Sequence, residues 1–239
     1  MSDIRITWLG HGTFSVTTEE GRTLLLDPWV DNNPACPEAL RKGTAPDALL
    51  VTHGHFDHIG DAVTLAGRHA PEIIAIFETA HWLESKGVSK IHPMNKGGSQ
   101  ELFDVQVTMV HADHSCGILD DGEIVYGGEA AGYVLKFRSG FTLYFAGDTN
   151  VFGDMKLIGD LYRPDAACLP IGDLFTMGPR EAALACRLLG VKTIIPMHWG
   201  TFPALTGTPE ALRAAVRGQA DLTIASLQPG ESMALAGGH

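Results

Sequence analysis

The chain has 239 residues, of which 45% are hydrophobic and 19% are charged, and its formal net charge is −11. This composition excludes a disordered chain, and no stretch reaches the roughly 18 consecutive apolar residues that a membrane-spanning helix requires. The acidic charge, without a cluster of lysine or arginine, also argues against binding along a nucleic-acid backbone. We therefore expect a single folded domain over residues 1–239 that acts on a small molecule and does not insert into a membrane.

The N-terminal residues lack the charged and apolar regions of a signal peptide, so we expect a cytoplasmic protein. The four cysteines are scattered without close pairing, which is typical of reduced thiols rather than of a disulfide framework. The sequence leaves open whether copies of the chain form a homo-oligomer.

The first half of the chain alternates apolar runs with polar loops. The pattern predicts a buried strand that ends at Val51 and a helix over residues 61–69 with Asp61 as its cap. Further elements are a second helix over 79–86 and strands over 4–9, 14–18, 23–26, 73–77 and 105–110.

The second half repeats this order, and each of its apolar runs also ends in polar residues. Strands are predicted over 133–138, 142–145, 166–171, 193–197 and 222–227. Helices are predicted over 154–161, from Pro179 to Gly190, and over 209–216. Two similar α/β halves indicate a four-layer arrangement, in which two sheets pack face to face and helices cover both outer faces.

The segment from His53 to His58 carries the strongest functional signal, because three imidazoles and one carboxylate lie within six residues. In an extended segment, His53 and His55 project to the same side and can bind one ion. A turn then carries Asp57 and His58 toward a second ion. Since the segment follows a buried strand and precedes a helix, it occupies a loop at which α/β proteins usually carry their chemistry.

This segment and several later ones together resemble the metallo-β-lactamase superfamily, and within it the metal-dependent hydrolases related to ascorbate-6-phosphate lactonase. The matching segments cover nearly the whole chain and occur in the family's order. They are Trp8-Leu9-Gly10-His11, Leu26-Asp27-Pro28, the segment from Thr52 to Asp61, His114-Ser115-Cys116-Gly117-Ile118, Ala146-Gly147-Asp148-Thr149, Leu169-Pro170-Ile171-Gly172-Asp173 and Pro196-Met197-His198.

The resemblance implies a four-layer αββα sandwich and a site for two divalent metal ions. One ion would be bound by His53, His55 and His114, the other by Asp57, His58 and His198, and Asp148 would bridge them. Zinc suits these nitrogen and oxygen ligands, and manganese or iron also fits them. The implied activity is hydrolysis of a small ester, lactone, amide or phosphoester by a hydroxide that the two metals share, with Asp57 and Asp148 as the catalytic carboxylates.

Four nearby residues leave alternatives open. His111 ends a predicted strand and competes with His114 as a ligand, but the residues after His114 match the family pattern. His11 either reaches the site from the first hairpin or is a packed, hydrogen-bonded histidine. Asp27 is expected to hold the backbone near the site rather than to bind metal. Asp113 either orients an imidazole or is a turn residue.

Two other activities occur on the same scaffold. An iron-dependent oxidoreductase is one, although in that branch the position of His55 resembles a glutamate. A nuclease or phosphodiesterase is the other, and the acidic charge of this chain argues against RNA as its substrate.

Overall fold

The computed structural model describes residues 4–41, 43, 45–219 and 221–235 of the chain. Its helices are α1 Glu38–Arg41, α2 Phe56–Ile59, α3 Ala62–His69, α4 Phe77–Ser85, α5 Met155–Tyr162, α6 Pro179–Leu189 and α7 Pro209–Ala215. The first eight strands are β1 Ile4–Gly10, β2 Thr13–Thr17, β3 Thr23–Leu26, β4 Ala48–Leu50, β5 Glu72–Ile76, β6 Ile91–Met94, β7 Ser99–Leu102 and β8 Val105–His111. The others are β9 Gly117–Asp120, β10 Glu123–Tyr126, β11 Ala131–Phe137, β12 Thr142–Phe145, β13 Ala166–Pro170, β14 Thr193–Met197, β15 Thr223–Ile224 and β16 Ser232–Leu235.

Two sheets of seven strands each form the centre of the fold. The first has the order β16-β1-β2-β3-β4-β5-β6 and the second β15-β14-β13-β12-β11-β8-β7. In the first sheet, strands β16 to β3 pair antiparallel and strands β3 to β6 pair parallel. The second sheet repeats this division, with antiparallel pairs from β7 to β12 and parallel pairs from β12 to β15. The two predicted similar halves therefore correspond to two sheets of like topology.

Three apolar clusters hold the layers together. The largest takes buried side chains from the facing sides of both sheets, among them Phe14 and Leu24 from the first and Tyr133 and Phe145 from the second. A second cluster joins the other face of the second sheet to α5, α6 and α7, and a third joins the first sheet to α3 and α4. This order of helix, sheet, sheet and helix confirms the predicted four-layer αββα fold.

The structure also contains elements that the sequence pattern did not predict. They are the strands β6, β7, β9, β10 and β16 and the short helices α1 and α2. Several of these strands are partly exposed, as in β10, which has no buried residue. Strands this short, with one buried residue or none, give too few positions to show the apolar alternation that marks a strand.

The position of the predicted helix cap at Asp61 is confirmed, but the predicted capping by its side chain is wrong. Asp61 does precede α3, but its side chain makes no capping hydrogen bond. Its Oδ2 atom instead accepts hydrogen bonds from the backbone N–H groups of Val30 at 2.5 Å and Asp31 at 2.8 Å. The carboxylate therefore fixes the loop after β3 to the start of α3.

Among the residues that the structure describes, no helix is both long and apolar enough to cross a membrane.

Candidate metal centre

The first cluster of candidate ligands comes from two loops. His53 and His55 follow β4, and His114 follows β8. The Nε2 atom of His53 lies 3.0 Å from Nδ1 of His55, and Nε2 of His114 lies 3.2 Å from the same Nδ1 atom. The Nδ1 atom of His55 has room for one hydrogen bond, so it cannot satisfy both His53 and His114. The three ring nitrogens therefore converge without a complete set of hydrogen bonds, and this arrangement suits ligands of a metal ion.

The second cluster consists of His11, Asp57, His58 and His198, whose ligand atoms all lie within 4.8 Å of one another. Asp57 and His58 belong to α2, and His198 follows β14. The Oδ2 atom of Asp57 is 3.9 Å from Nε2 of His58 and 3.8 Å from Nε2 of His198. The structure therefore brings Asp57, His58 and His198, the residues that the resemblance groups around one ion, close together, and it adds His11.

Asp148 lies between the two clusters, in the loop after β12. Its Oδ2 atom is 3.0 Å from Nε2 of His198 and 3.3 Å from Nε2 of His58. The same oxygen is 3.8 Å from Nε2 of His114 and 4.0 Å from Nε2 of His53. One carboxylate oxygen thus faces imidazoles of both clusters, which is the position of a bridging ligand.

Several of these buried atoms have no hydrogen-bond partner among the described residues. They are Nε2 of His58, both ring nitrogens of His198 and Oδ1 of Asp148. The close approaches of His58 and His198 to Asp148 are ion-pair distances without the alignment of hydrogen bonds. Because buried polar atoms are nearly always paired, these side chains fit a set of ligands for divalent cations better than a closed hydrogen-bond network.

His11 reaches the site, which the sequence left open. It is fully buried, and its Nε2 atom lies 2.8 Å from Oδ2 of Asp57 while Nδ1 lies 3.0 Å from the hydroxyl of Thr201. Burial lowers the pKa of His11 to about 4 despite the Asp57 carboxylate, so the ring is neutral at neutral pH. A neutral His11 donates from Nε2 to Asp57 and accepts the Thr201 hydroxyl at Nδ1.

Asp27 orients one histidine of each cluster through hydrogen bonds. Its Oδ2 atom accepts hydrogen bonds from Nδ1 of His58 and from the hydroxyl of Thr52, each at 2.8 Å, and its Oδ1 atom accepts the Thr52 backbone N–H at 2.8 Å. The hydroxyl oxygen of Thr52 lies 2.9 Å from Nδ1 of His53 and accepts a hydrogen bond from that N–H group. Asp27 therefore holds the proton on Nδ1 of His58 and, through Thr52, on Nδ1 of His53, so that the Nε2 atoms of both rings face the site and are the atoms that a metal ion would bind. It holds the backbone, as the sequence predicted, and it also orients two imidazoles.

The remaining open residues lie outside both clusters. His111 approaches Lys96 through Nδ1 at 3.1 Å and packs edge-on against Phe152, whereas His114 lies within the first cluster. Asp113 is a turn residue that bonds to Thr149 and Asn150.

Gly172, in the loop after β13, allows the backbone of this loop to pack directly against that of His198. A Cβ atom added at Gly172 would lie 2.0 Å from the carbonyl oxygen of His198. This oxygen is part of the backbone and cannot move aside without displacing His198 itself, so the close packing of the two loops depends on glycine.

The charges of the site shift the pKa values of its members in opposite directions. Burial would lower the pKa of His58 and of His198, but nearby carboxylates, Asp148 foremost, raise the pKa of His58 well above its usual range and that of His198 to about 9. Burial lowers the pKa values of His53, His55 and His114.

Burial alone would raise the pKa values of the carboxylates of Asp57 and Asp148. The adjacent His58 and His198 imidazoles instead hold the pKa values of Asp57 and Asp148 below their usual range. In metal-free protein, two anionic carboxylates therefore stabilise two cationic imidazoles.

These shifts predict a stability maximum near pH 6.5 for the metal-free protein. As the pH rises from 6.5 toward 9, unfolded histidines lose protons that folded His58 and His198 retain, so the free energy of unfolding falls. As the pH drops from 6.5 toward 4, the unfolded chain binds protons that folded His11 and His53 reject, and the free energy of unfolding falls again. Urea unfolding of chelator-treated protein between pH 4 and 9.5 measures both changes.

The decline between pH 6.5 and about 8 is the diagnostic part of this profile, because many proteins lose stability in acid and the raised pKa values of the buried cysteines contribute at higher pH. Substitution of the exposed His81 by glutamine serves as the control and should leave the profile unchanged. A free energy of unfolding that stays constant from pH 6.5 to 9 would contradict the ion pairs inferred around Asp148.

A cavity of about 580 Å³ opens onto both clusters. Imidazoles and carboxylates form its base, and its walls are mostly apolar. Concave, largely apolar cavities with a few polar groups at one end are the usual form of small-molecule sites.

The fold and the converging imidazoles and carboxylates define the class of protein, a metal-dependent hydrolase of the β-lactamase superfamily. A family model described as "Beta-lactamase superfamily domain" matches residues 22–199. Within this superfamily, the chain belongs to the UPF0173 metal-dependent hydrolases. A member from Solibacter usitatus is 59% identical over 95% of this chain and 98% of its own length, and one from Methanosarcina mazei is 43% identical over 98% and 100%.

Solved structures share this fold. Igni18, described as a novel metallo hydrolase from Ignicoccus hospitalis, is 31% identical, with a TM-score of 0.87 over 99% of this chain and 100% of its own. CmlA from Streptomyces venezuelae, described as a diiron β-hydroxylase, is 12% identical, with a TM-score of 0.75 over 98% of this chain and 55% of its own. The second likeness concerns the fold alone, and it illustrates that one fold carries different chemistries.

Proposed function

We propose that this protein hydrolyses a small ester, lactone, amide or phosphoester with the help of two divalent metal ions. His53, His55 and His114 hold one ion, Asp57, His58 and His198 hold the other, and Asp148 bridges them. The observation that carries this proposal is the position of the Asp148 Oδ2 atom, which lies within 4.0 Å of imidazole nitrogens from both clusters.

The ligand set favours zinc, because it combines imidazoles with few carboxylates, and manganese or iron also accepts these atoms. When bound, two such ions would make a hydroxide available at neutral pH and polarise the bond that it attacks. The chain itself supplies the orientation of the ligands. Asp27 fixes the tautomers of His53 and His58, and His11 holds one oxygen of Asp57.

Several of the ligand side chains at the base of the cavity are almost completely buried. Asp148 is 2% exposed and His198 is 2% exposed, while His53 and His58 are fully buried. A substrate can therefore approach only through the cavity, so the reacting bond meets the ligand cluster from one side. The low exposure of these side chains also strengthens their electrostatic interactions with a bound substrate.

The test combines metal analysis with activity. We expect protein purified without chelator to contain about two equivalents of zinc or manganese per chain. Chelation should abolish hydrolysis across a panel of esters, lactones, amides and phosphodiesters, and addition of the same metal should restore it. Metal-replete protein with no turnover on the whole panel would disprove the hydrolase proposal, and predominant iron with oxygen consumption would replace it by redox chemistry.

A further inference from the structure

The cavity above the candidate metal centre has an unusual concentration of exposed apolar side chains. Phe56 is 57% exposed, Leu119 60%, Ile124 80% and Phe175 64%, and all four line the cavity. Single exposed apolar residues are ordinary on protein surfaces, but a contiguous group around a cavity usually marks a binding site.

The hairpin of β9 and β10 contributes the outer part of this apolar wall. Leu119 and Ile124 lie directly opposite each other in its antiparallel register. On the other face of the hairpin, Ile118 is buried and packs so closely against Gly54 that a Cβ atom added there would lie 2.3 Å from it. Because side chains alternate along a strand, anchoring Ile118 on the loop between His53 and His55 turns Leu119 toward the cavity.

The charges around the cavity point in the same direction. None of the described residues that line it is a lysine or an arginine, its carboxylates are Asp57 and Asp148, and its imidazoles all belong to the two ligand clusters at its base. A phosphate or sulfate group on a substrate, away from the reacting bond, would therefore meet no side-chain cation in the wall. An apolar group would replace water along most of the wall.

We propose that the substrate is a neutral ester, lactone or amide with an alkyl or aryl group beside the reacting bond, and that Leu119, Ile124 and Phe175 bind this group. This inference rests on the proposed hydrolase function, since it assigns the substrate class of the same site. It excludes a sugar phosphate as the preferred substrate. It also makes the hairpin of β9 and β10 an element that determines specificity.

Binding of linear carboxylates tests the apolar wall independently of turnover. Zinc-loaded protein is titrated by calorimetry with the series from acetate to octanoate, whose carboxylates mimic a hydrolysis product. We expect affinity to rise about two- to fourfold per methylene group that enters the cavity, the range expected for partial to full burial. A double variant, Leu119→Ser with Ile124→Ser, should keep its zinc content and reduce this increment to less than 1.5-fold.

Leu161→Ser is the matched control, because Leu161 is 71% exposed on α5 and does not line the cavity. It should retain the wild-type dependence on chain length. An affinity that does not change with chain length would overturn the proposal, as would a steep dependence that the double variant preserves. Sedimentation showing that Leu119 and Ile124 are needed for a dimer, together with a flat series, would assign the hairpin to a subunit interface instead.

Turnover of lactones separates this proposal from the hydrolase proposal. We expect kcat/KM to rise with the length of an alkyl substituent and to fall at least tenfold when the substituent carries a phosphate. Hydrolysis that favours the phosphorylated lactone would leave the hydrolase function intact and overturn the substrate class. Chain-length-dependent binding without any turnover would support the apolar wall and overturn the hydrolase function.

Discussion

Replacement of Asp148 by alanine is expected to lower kcat/KM for any substrate of this enzyme by on the order of a thousandfold. Its Oδ2 atom faces imidazoles of both clusters, at 3.0 Å and 3.3 Å on one side and 3.8 Å and 4.0 Å on the other. Without this carboxylate, two divalent cations would repel each other with one anion fewer between them. Loss of several kcal/mol of electrostatic stabilisation corresponds to this change in rate, at 1.36 kcal/mol per factor of ten.

The metal content should change together with the rate. Elemental analysis of the Asp148→Ala protein is expected to give about one equivalent of metal or less, against about two in the wild type. Asp154→Ala is the control, since Asp154 is exposed a few residues further along the same loop and makes no capping hydrogen bond to α5. Full metal content and full activity in Asp148→Ala would show that the two clusters do not form one centre.

The strand pattern places the candidate ligands at strand ends, although the choice of His114, Asp148 and His198 rests on the resemblance to the family. His53, His114, Asp148 and His198 each follow an apolar run, and such runs became the buried strands β4, β8, β12 and β14. In this fold the ends of those strands meet at one edge of the two sheets, so residues far apart in sequence converge. The strand pattern predicts this convergence without knowledge of any distance.

His11 could not be assigned in the same way. It occupies the turn between β1 and β2 with a backbone φ angle of 56°, a conformation that residues other than glycine rarely adopt. Nothing in the alternation of apolar residues predicts where a side chain in such a turn will point. Its position follows from tertiary contacts, among them the hydrogen bond from the backbone N–H of His198 to the carbonyl of His11 at 3.0 Å.

The hairpin of β9 and β10 was missed for a different physical reason. Its sequence offers only one residue to the core, Ile118, while Leu119 and Ile124 are exposed. Sequence patterns identify strands by a buried apolar face, so a strand whose apolar residues face a cavity resembles a loop. The hairpin that lines the cavity is thus one of the elements that periodicity describes least well.

Replacement of Asp27 by asparagine is expected to weaken zinc binding about 10- to 100-fold, although Asp27 itself touches no ion in the proposed centre. The Oδ2 atom of Asp27 accepts hydrogen bonds from His58 and from the Thr52 hydroxyl, and the Thr52 oxygen accepts a hydrogen bond from His53. If Oδ1 of the asparagine keeps the Thr52 backbone N–H, its amide NH₂ group takes the place of Oδ2. A donor then faces Nδ1 of His58 and the Thr52 hydroxyl, so both imidazoles carry their proton on Nε2, where a metal ion requires a lone pair.

The effect should appear in both clusters at once, because His53 and His58 belong to different ones. Competition with a chromophoric chelator measures the two zinc affinities separately, and both should fall in Asp27→Asn. Thr52→Val should weaken mainly the site that contains His53, since His58 keeps its direct bond to Asp27. Asp47→Asn is the control, because Asp47 likewise accepts a backbone N–H, that of Thr23 at 2.8 Å, but lies at the opposite end of β4 from the ligands and bonds to Arg22. If Asp27→Asn bound zinc as tightly as the Asp47 variant, the ligands would be oriented by the metal ions themselves and not by the hydrogen bonds behind them.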